Sequence, residues 1–78
     1  MSRILLVDDD TELTDMLSQY LANEGFSVDS AHDGETALSK ARNGRYDLLV
    51  LDVMLPGKNG FDVLRELRQE SLLPVLML

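Results

Sequence analysis

The stretch Leu48-Leu49-Val50-Leu51-Asp52, followed at once by Val53-Met54-Leu55-Pro56-Gly57-Lys58-Asn59-Gly60, decides the fold. Four consecutive apolar residues bounded by turn formers read as a strand buried on both faces. The run stops at a carboxylate, so Asp52 falls at the carboxyl end of a central strand. In an open α/β sheet, ligands bind in the crevice just outside the carboxyl ends of the strands. A second apolar run, Ile4-Leu5-Leu6-Val7, ends in Asp8-Asp9-Asp10, and two separate strands thereby deliver acid toward one edge.

Working outward, Arg3 to Val7 make the first strand, and Asp10 or Thr11 offers an oxygen to cap the helix that follows. Leu13, Met16, Leu17, Tyr20 and Leu21 recur at helical spacing and predict its buried stripe, with Glu12, Asp15, Gln19 and Asn23 opposite. Gly25 can take the left-handed conformation that ends such a helix. Phe26 to Ala31 read as a weaker strand near a sheet edge, because Phe26 and Val28 alternate with Ser27 and Asp29. Asp33 caps the next helix, whose thin buried side is Ala37, Leu38 and Ala41, and Gly44 closes it.

Beyond the Pro56–Gly60 loop, Phe61, Leu64 and Leu67 predict the inner side of a third helix, with Arg65, Glu66, Arg68 and Gln69 facing water. Pro74 to Leu78 read as a fourth strand with proline at its first residue, where a missing N–H does least harm. The order β-α-β-α-β-α-β predicts a doubly wound α/β parallel sheet with right-handed crossovers. The expected strand order is 2-1-3-4, with the first helix on one face and the second and third on the other. A chain stopping on apolar Val75 to Leu78 reads as a domain truncated after its fourth strand. The first helix's face should then be under-covered and the fourth strand an open apolar edge, so the 78 residues should be either only the ordered part of a longer chain or a homo-oligomer that covers Val75 to Leu78.

The totals bound the function. At 78 residues there is room for one small domain, and 45% hydrophobic with 27% charged residues is ordinary for a globular one. A net charge of −7 argues against nucleic acid or an anionic membrane as this segment's own partner and suits a cation or a basic surface. No cysteine is present, which excludes a disulfide framework and a thiolate zinc site and fits a cytoplasmic protein. No signal peptide or membrane span is read, since the first apolar run lasts four residues.

Carboxylates crowded at one edge repel unless a cation neutralises them. Magnesium (Mg2+) suits such a site, because it takes hard oxygen ligands and commonly keeps waters and a phosphate oxygen. A carboxylate beside a bound phosphoryl donor can act as the acceptor in an in-line transfer, where positioning and charge neutralisation supply most of the catalysis.

Val7-Asp8-Asp9 after the first strand, Leu51-Asp52 after the third, and Met54-x-Pro56-x-x-x-Gly60 after that resemble the receiver domain of two-component response regulators. The resemblance covers residues 1–78, and the runs Ile4–Asp10, Ala31–Glu35 and Leu51–Pro56 are similar to the OmpR/PhoB subfamily. It implies a flavodoxin-like (CheY-like) fold, of which this chain would be the N-terminal portion. It also implies that Asp52 is the phosphoacceptor, taking its phosphoryl group from a sensor histidine kinase or a small donor such as acetyl phosphate. Asp9 would bind Mg2+ directly, Asp8 mainly through water, and Met54 through its backbone carbonyl, with Pro56 and Gly60 shaping the loop. A Thr or Ser after the fourth strand and a Lys after the fifth would complete the family site beyond this chain. DNA would be reached only through a C-terminal domain absent here, and the receiver would be a phosphoacceptor that dephosphorylates itself, not a turnover enzyme.

Blander readings stand beside these. An aspartate at a strand end is commonly a helix cap, and Asp10 is read as one. His32 is read as structural and away from the crevice, Lys58 as a solvated loop lysine, and Met16, Met54 and Met77 as fillers of irregular core. A calcium loop starting at Asp8 fails because Leu13 stands at the required glycine and Gln19 at the bidentate glutamate. A haloacid-dehalogenase-type phosphatase needs a second acid two positions after the nucleophile, where this chain has Met54. The remaining competitor is a pseudo-receiver that serves as a phosphorylation-independent protein-binding module.

Overall fold

Backbone pairing decides where the acids fall. In the computed structural model, which describes residues 2–78, four parallel strands lie in the order β2-β1-β3-β4. The elements are β1 (Arg3–Val7), α1 (Thr11–Asn23), β2 (Ser27–Ala31), α2 (Gly34–Asn43), β3 (Leu48–Leu51), α3 (Gly60–Arg68) and β4 (Val75–Met77). Val7 pairs with Ala31 on one side and Leu51 on the other, and Leu51 pairs with Met77. The carboxyl ends of all four strands are therefore level, and Asp8 and Asp52 follow directly on neighbouring strands.

The chain steps from β1 outward to β2, then back across β1 to β3 and on to β4. Right-handed crossovers accordingly send α1 to one face and α2 and α3 to the other. The main core lies on the second face, where Leu5, Val7, Leu49 and Leu51 meet Ala37, Leu38, Val63 and Leu67, all buried. Each leucine so buried contributes about 1.5–3 kcal/mol. Ile4 and Leu6 point to the α1 face and are also buried. Farther along that face, Leu48 and Val50 are half-buried, while Leu76 and Leu78 are 51% and 64% exposed. The expected under-covering of this face and the edge position of β2 are both present.

Two predicted stripes differ. On α1 the only fully buried residue is Thr14, flanked by half-buried Leu17, Ser18 and Leu21, while Met16 and Tyr20 are each 61% exposed. The helix is turned by about one residue relative to its apolar pattern, because the Thr14 hydroxyl satisfies itself on the Thr11 carbonyl at 3.1 Å and can enter the interior. On α3 the buried set is Gly60, Val63 and Leu67, with Leu64 half-buried and Phe61 56% exposed. Close packing of Gly60 against the Asp52 backbone fixes the helix rotation and leaves Phe61 about 100° away from the core. Of the three methionines read as core, only Met77 packs against it; Met16 and Met54 are exposed.

The predicted punctuation holds. Asp10 and Asp33 cap α1 and α2, accepting from Leu13 N at 3.1 Å and Thr36 N at 2.8 Å; Asn59, not singled out from the sequence, caps α3 through Asp62 N at 3.0 Å. The two hydrogen bonds from Thr36 hold the Asp33 carboxyl below the usual carboxylate range. Gly25, at φ 96°, is the left-handed residue after α1.

Candidate functional site

Asp8, Asp9 and Asp52 come together at the carboxyl edge. Each offers one carboxylate oxygen, and these oxygens all lie within 4.8 Å of one another, with Asp8 and Asp52 half-buried and Asp9 exposed. Asp52 is held by backbone on two sides: its N–H donates to the Val7 carbonyl at 2.9 Å, and its Oδ1 accepts from the Met54 N–H at 3.1 Å. Asp8 donates its N–H to the Ala31 carbonyl at 3.1 Å and accepts at Oδ1 from the Asp10 N–H at 2.9 Å. The carboxylates are thus oriented by the ends of the strands that carry them.

The loop between β3 and α3 is closed tightly. The Gly60 N–H donates to the Val53 carbonyl at 2.9 Å, and a Cβ on Gly60 would fall against the Asp52 carbonyl oxygen and 2.9 Å from Val53 Cα. Leu55 anchors the loop in the core at 8% exposure. Met54 lies beside Asp52 through its backbone, while its side chain is 79% exposed. The Met54 side chain is thus not core filling, contrary to the sequence expectation.

Two side chains do more than the sequence suggests, and one of them, His32, borders the site. His32 Nδ1 lies 3.0 Å from the Asp8 carbonyl, so Nδ1 carries the proton, and the ring ties the end of β2 to the backbone of the acid cluster. Contrary to the sequence expectation, His32 stands next to the crevice and not away from it, because the end of β2 lies level with the end of β1. Lys58 is not a free loop lysine: its ammonium pairs with Glu66 of α3 and, at 3.1 Å, with Glu35 of α2. Those two hydrogen bonds, that of Glu66 foremost, raise the Lys58 pKa.

The opposite end of the sheet carries different chemistry. Tyr46 Oη donates to Asp29 Oδ2 at 2.7 Å, Arg3 reaches the same oxygen at 3.1 Å, and the guanidinium lies 4.8 Å above the Tyr46 ring centre. The Tyr46 hydrogen bond lowers the Asp29 pKa, while burial and Asp29 push Tyr46 up to about 12. This end is a staple between β1, β2 and the approach to β3.

The chemistry of the donors fits Mg2+. Three hard carboxylate oxygens with at least one exposed carboxylate match an ion that takes oxygen ligands and retains several waters.

The profile of the "Response regulator receiver domain" matches residues 4–78. The chain belongs to this receiver family. Among curated proteins, the receiver is 58% identical over 78 residues to the transcriptional regulatory protein CpxR of Klebsiella pneumoniae and 56% identical to CpxR of Escherichia coli K12. It covers 33% of either relative, so the chain spans about a third of their length. The subfamily resemblance seen in the sequence agrees with these relatives. Among solved structures, the receiver matches the Vibrio cholerae chemotaxis protein CheY4 with a TM-score of 0.94 at 36% identity, covering 99% of this chain and 67% of that one. It matches Thermotoga maritima TrrA, a response regulator solved in complex with Mg2+ and BeF, with a TM-score of 0.86 at 42% identity, covering 91% and 62%. The fold is the CheY-like one expected. Among the described residues no helix is long and apolar enough to cross a membrane.

Proposed function

We propose that Asp52 accepts a phosphoryl group from a sensor histidine kinase and that the chain is the N-terminal portion of one receiver domain in a transcriptional regulator. The observation that carries the reading is the meeting of Asp8, Asp9 and Asp52 oxygens within 4.8 Å at the level carboxyl edge of the sheet. Asp8, Asp9, Asp52 and the Met54 carbonyl would hold Mg2+, with Asp8 acting mainly through water. The ion, when bound, neutralises the charge of the carboxylates and of the incoming phosphoryl oxygens.

The chain's own residues do the rest. The Met54 N–H fixes one Asp52 oxygen and leaves the other to attack phosphorus in line. The bond from phosphorus to the donor's histidine nitrogen breaks as the aspartyl phosphate forms, and the nitrogen retains the electron pair. Water later cleaves the acyl phosphate on the same site, so each chain is acceptor and hydrolase for its own phosphate without being a turnover enzyme. DNA is contacted through a further domain, and the protein works in the cytoplasm, where its kinase donor presents phosphohistidine. Support comes from the relatives' names and from the share of solved receivers that the chain covers.

Full-length protein given acetyl phosphate and Mg2+ should form a hydroxylamine-labile acyl phosphate, and Asp52→Asn or Asp52→Ala should abolish it. Labelling that persists in both refutes the assignment. A wild-type protein that neither binds Mg2+ nor takes up phosphate is instead a pseudo-receiver.

A further inference from the structure

The β3–α3 loop carries Met54 to the acid cluster, and its two ends are fixed by hydrogen bonds to Asp52 and Val53. Between them the arch stands open at Pro56 and Gly57. Pro56 and Gly57 are exposed, and Gly57 has φ 71° with open space around its Cα. Two side chains tie this arch down: Leu55, buried in the core, and Lys58.

Lys58 joins three elements at once. Its backbone packs directly on the start of α2, where a Cβ on Gly34 would fall 2.5 Å from the Lys58 carbonyl oxygen and 2.9 Å from its Cβ. Its ammonium reaches Glu35 of α2 and Glu66 of α3, and its side chain is only 24% exposed. Glu66 is 37% exposed and Glu35 77%, so the Glu66 pair is the better shielded of the two. Beside the pairs lies a cleft of about 520 Å³ lined by Glu35, Gly57, Lys58, Asp62, Arg65 and Glu66, which admits water and salt to them.

We infer that Lys58 is a positioning residue for Mg2+ binding: clipped between Glu35 and Glu66, it holds the loop so that the Met54 backbone stays beside Asp52. The inference rests on the proposed acid-site reading. Releasing the clip leaves two carboxylates facing each other without a cation and lets the arch sample conformations in which the Met54 backbone leaves Asp52. Apparent metal affinity then falls in proportion to the fraction of molecules that keep the competent loop.

The test is a calorimetric titration of full-length protein with MgCl2, comparing wild type with Lys58→Ala, Lys58→Arg, Glu66→Gln, Glu35→Gln and Asp9→Asn. Circular dichroism melts in EDTA report the metal-free fold. Lys58→Ala should weaken Mg2+ binding about threefold to tenfold, as expected from the loss of two partly screened ion pairs. Lys58→Arg should restore most of the affinity, and Glu66→Gln should weaken it more than Glu35→Gln. The gap between wild type and Lys58→Ala should close near 1 M NaCl, where the screening length is about 3 Å.

Equal affinity in wild type and a folded Lys58→Ala overturns the inference. Should Lys58→Ala fail to fold, Glu66→Gln decides: it preserves shape and removes charge, and unchanged affinity there overturns the clip. Wild-type protein whose Mg2+ binding is absent, or indifferent to Asp9→Asn, overturns the acid-site reading and this inference with it. Binding lost in Asp9→Asn but kept in every Lys58 and Glu66 variant overturns the clip alone.

Discussion

Replacing Gly60 by alanine adds one methyl group where the backbone of Asp52, the proposed phosphoacceptor, already lies. The new Cβ would stand 2.9 Å from Val53 Cα and 3.1 Å from the Asp52 carbonyl carbon, with the Asp52 oxygen nearer still. Carbon atoms rest at about 3.5–4.0 Å, so α3 or the Asp52 backbone must move by about 0.5–1 Å. Overpacking of this kind costs about 1–3 kcal/mol, and alanine's helix propensity offsets at most about 1 kcal/mol of it. The net loss is about 1–2 kcal/mol, which for a domain of this size lowers the melting temperature by about 5–15 °C. Because the displaced group is Asp52, phosphoryl uptake should fall at least about tenfold, since a misplacement of about 1 Å can cost 10²-fold. The assay pairs a thermal melt with a time course of acetyl phosphate labelling. Gly25→Ala is the control: its neighbourhood is open, and only the left-handed backbone at φ 96° resists the change, so stability falls while uptake persists. A Gly60→Ala protein that melts within about 2 °C of wild type and labels at the wild-type rate would refute the steric reasoning.

Other outcomes follow from the same geometry. Met54 offers no hydrogen bond to an attacking water, so Met54→Asn should change the half-life of the acyl phosphate, and an unchanged half-life limits Met54 to its backbone. Tyr46, raised to about 12, gives stability that is complete below its ordinary value near 10 and lost as pH climbs toward 12; absorbance titration of a Tyr20→Phe variant should show Tyr46 ionising late. Asp29 has the opposite sign: its lowered pKa gives stability present above pH 3.8 and lost as pH falls through the folded value, so Asp29→Asn should flatten the acid limb of the stability curve. Leu76 and Leu78 lie open on the α1 face, and Leu76→Lys should reduce any self-association of the 78-residue chain in sedimentation.

The strands and the acid cluster were legible because their signals are local. Apolar runs broken by aspartate state both where a strand ends and what it presents there, and the crossover rule converts two such runs into one edge. Helix rotation was less legible. Thr14 entered the core at a position where pattern reading favoured Leu13 and Met16, because a hydroxyl bonded to its own helix counts as apolar only once the helix exists. Phe61 looked like core, yet the contact between Gly60 and Asp52 sets the rotation of α3, and nothing in the spacing of Phe61, Leu64 and Leu67 reports that contact. Lys58 was misjudged for a related reason: its partners lie 23 positions before and 8 positions after it, on two different helices.

The pairing of Val7 with Leu51 also acts as a form of proofreading. Successive strand residues rise about 3.3 Å and alternate faces, so a slip of one position would carry Asp8 away from Asp52 and also turn Leu5 and Val7 out of the main core. The misassembled site and the exposed core are one and the same event. A chain with its acids out of place is too unstable to persist, and the molecules that survive folding are those in which Asp8 and Asp52 already meet.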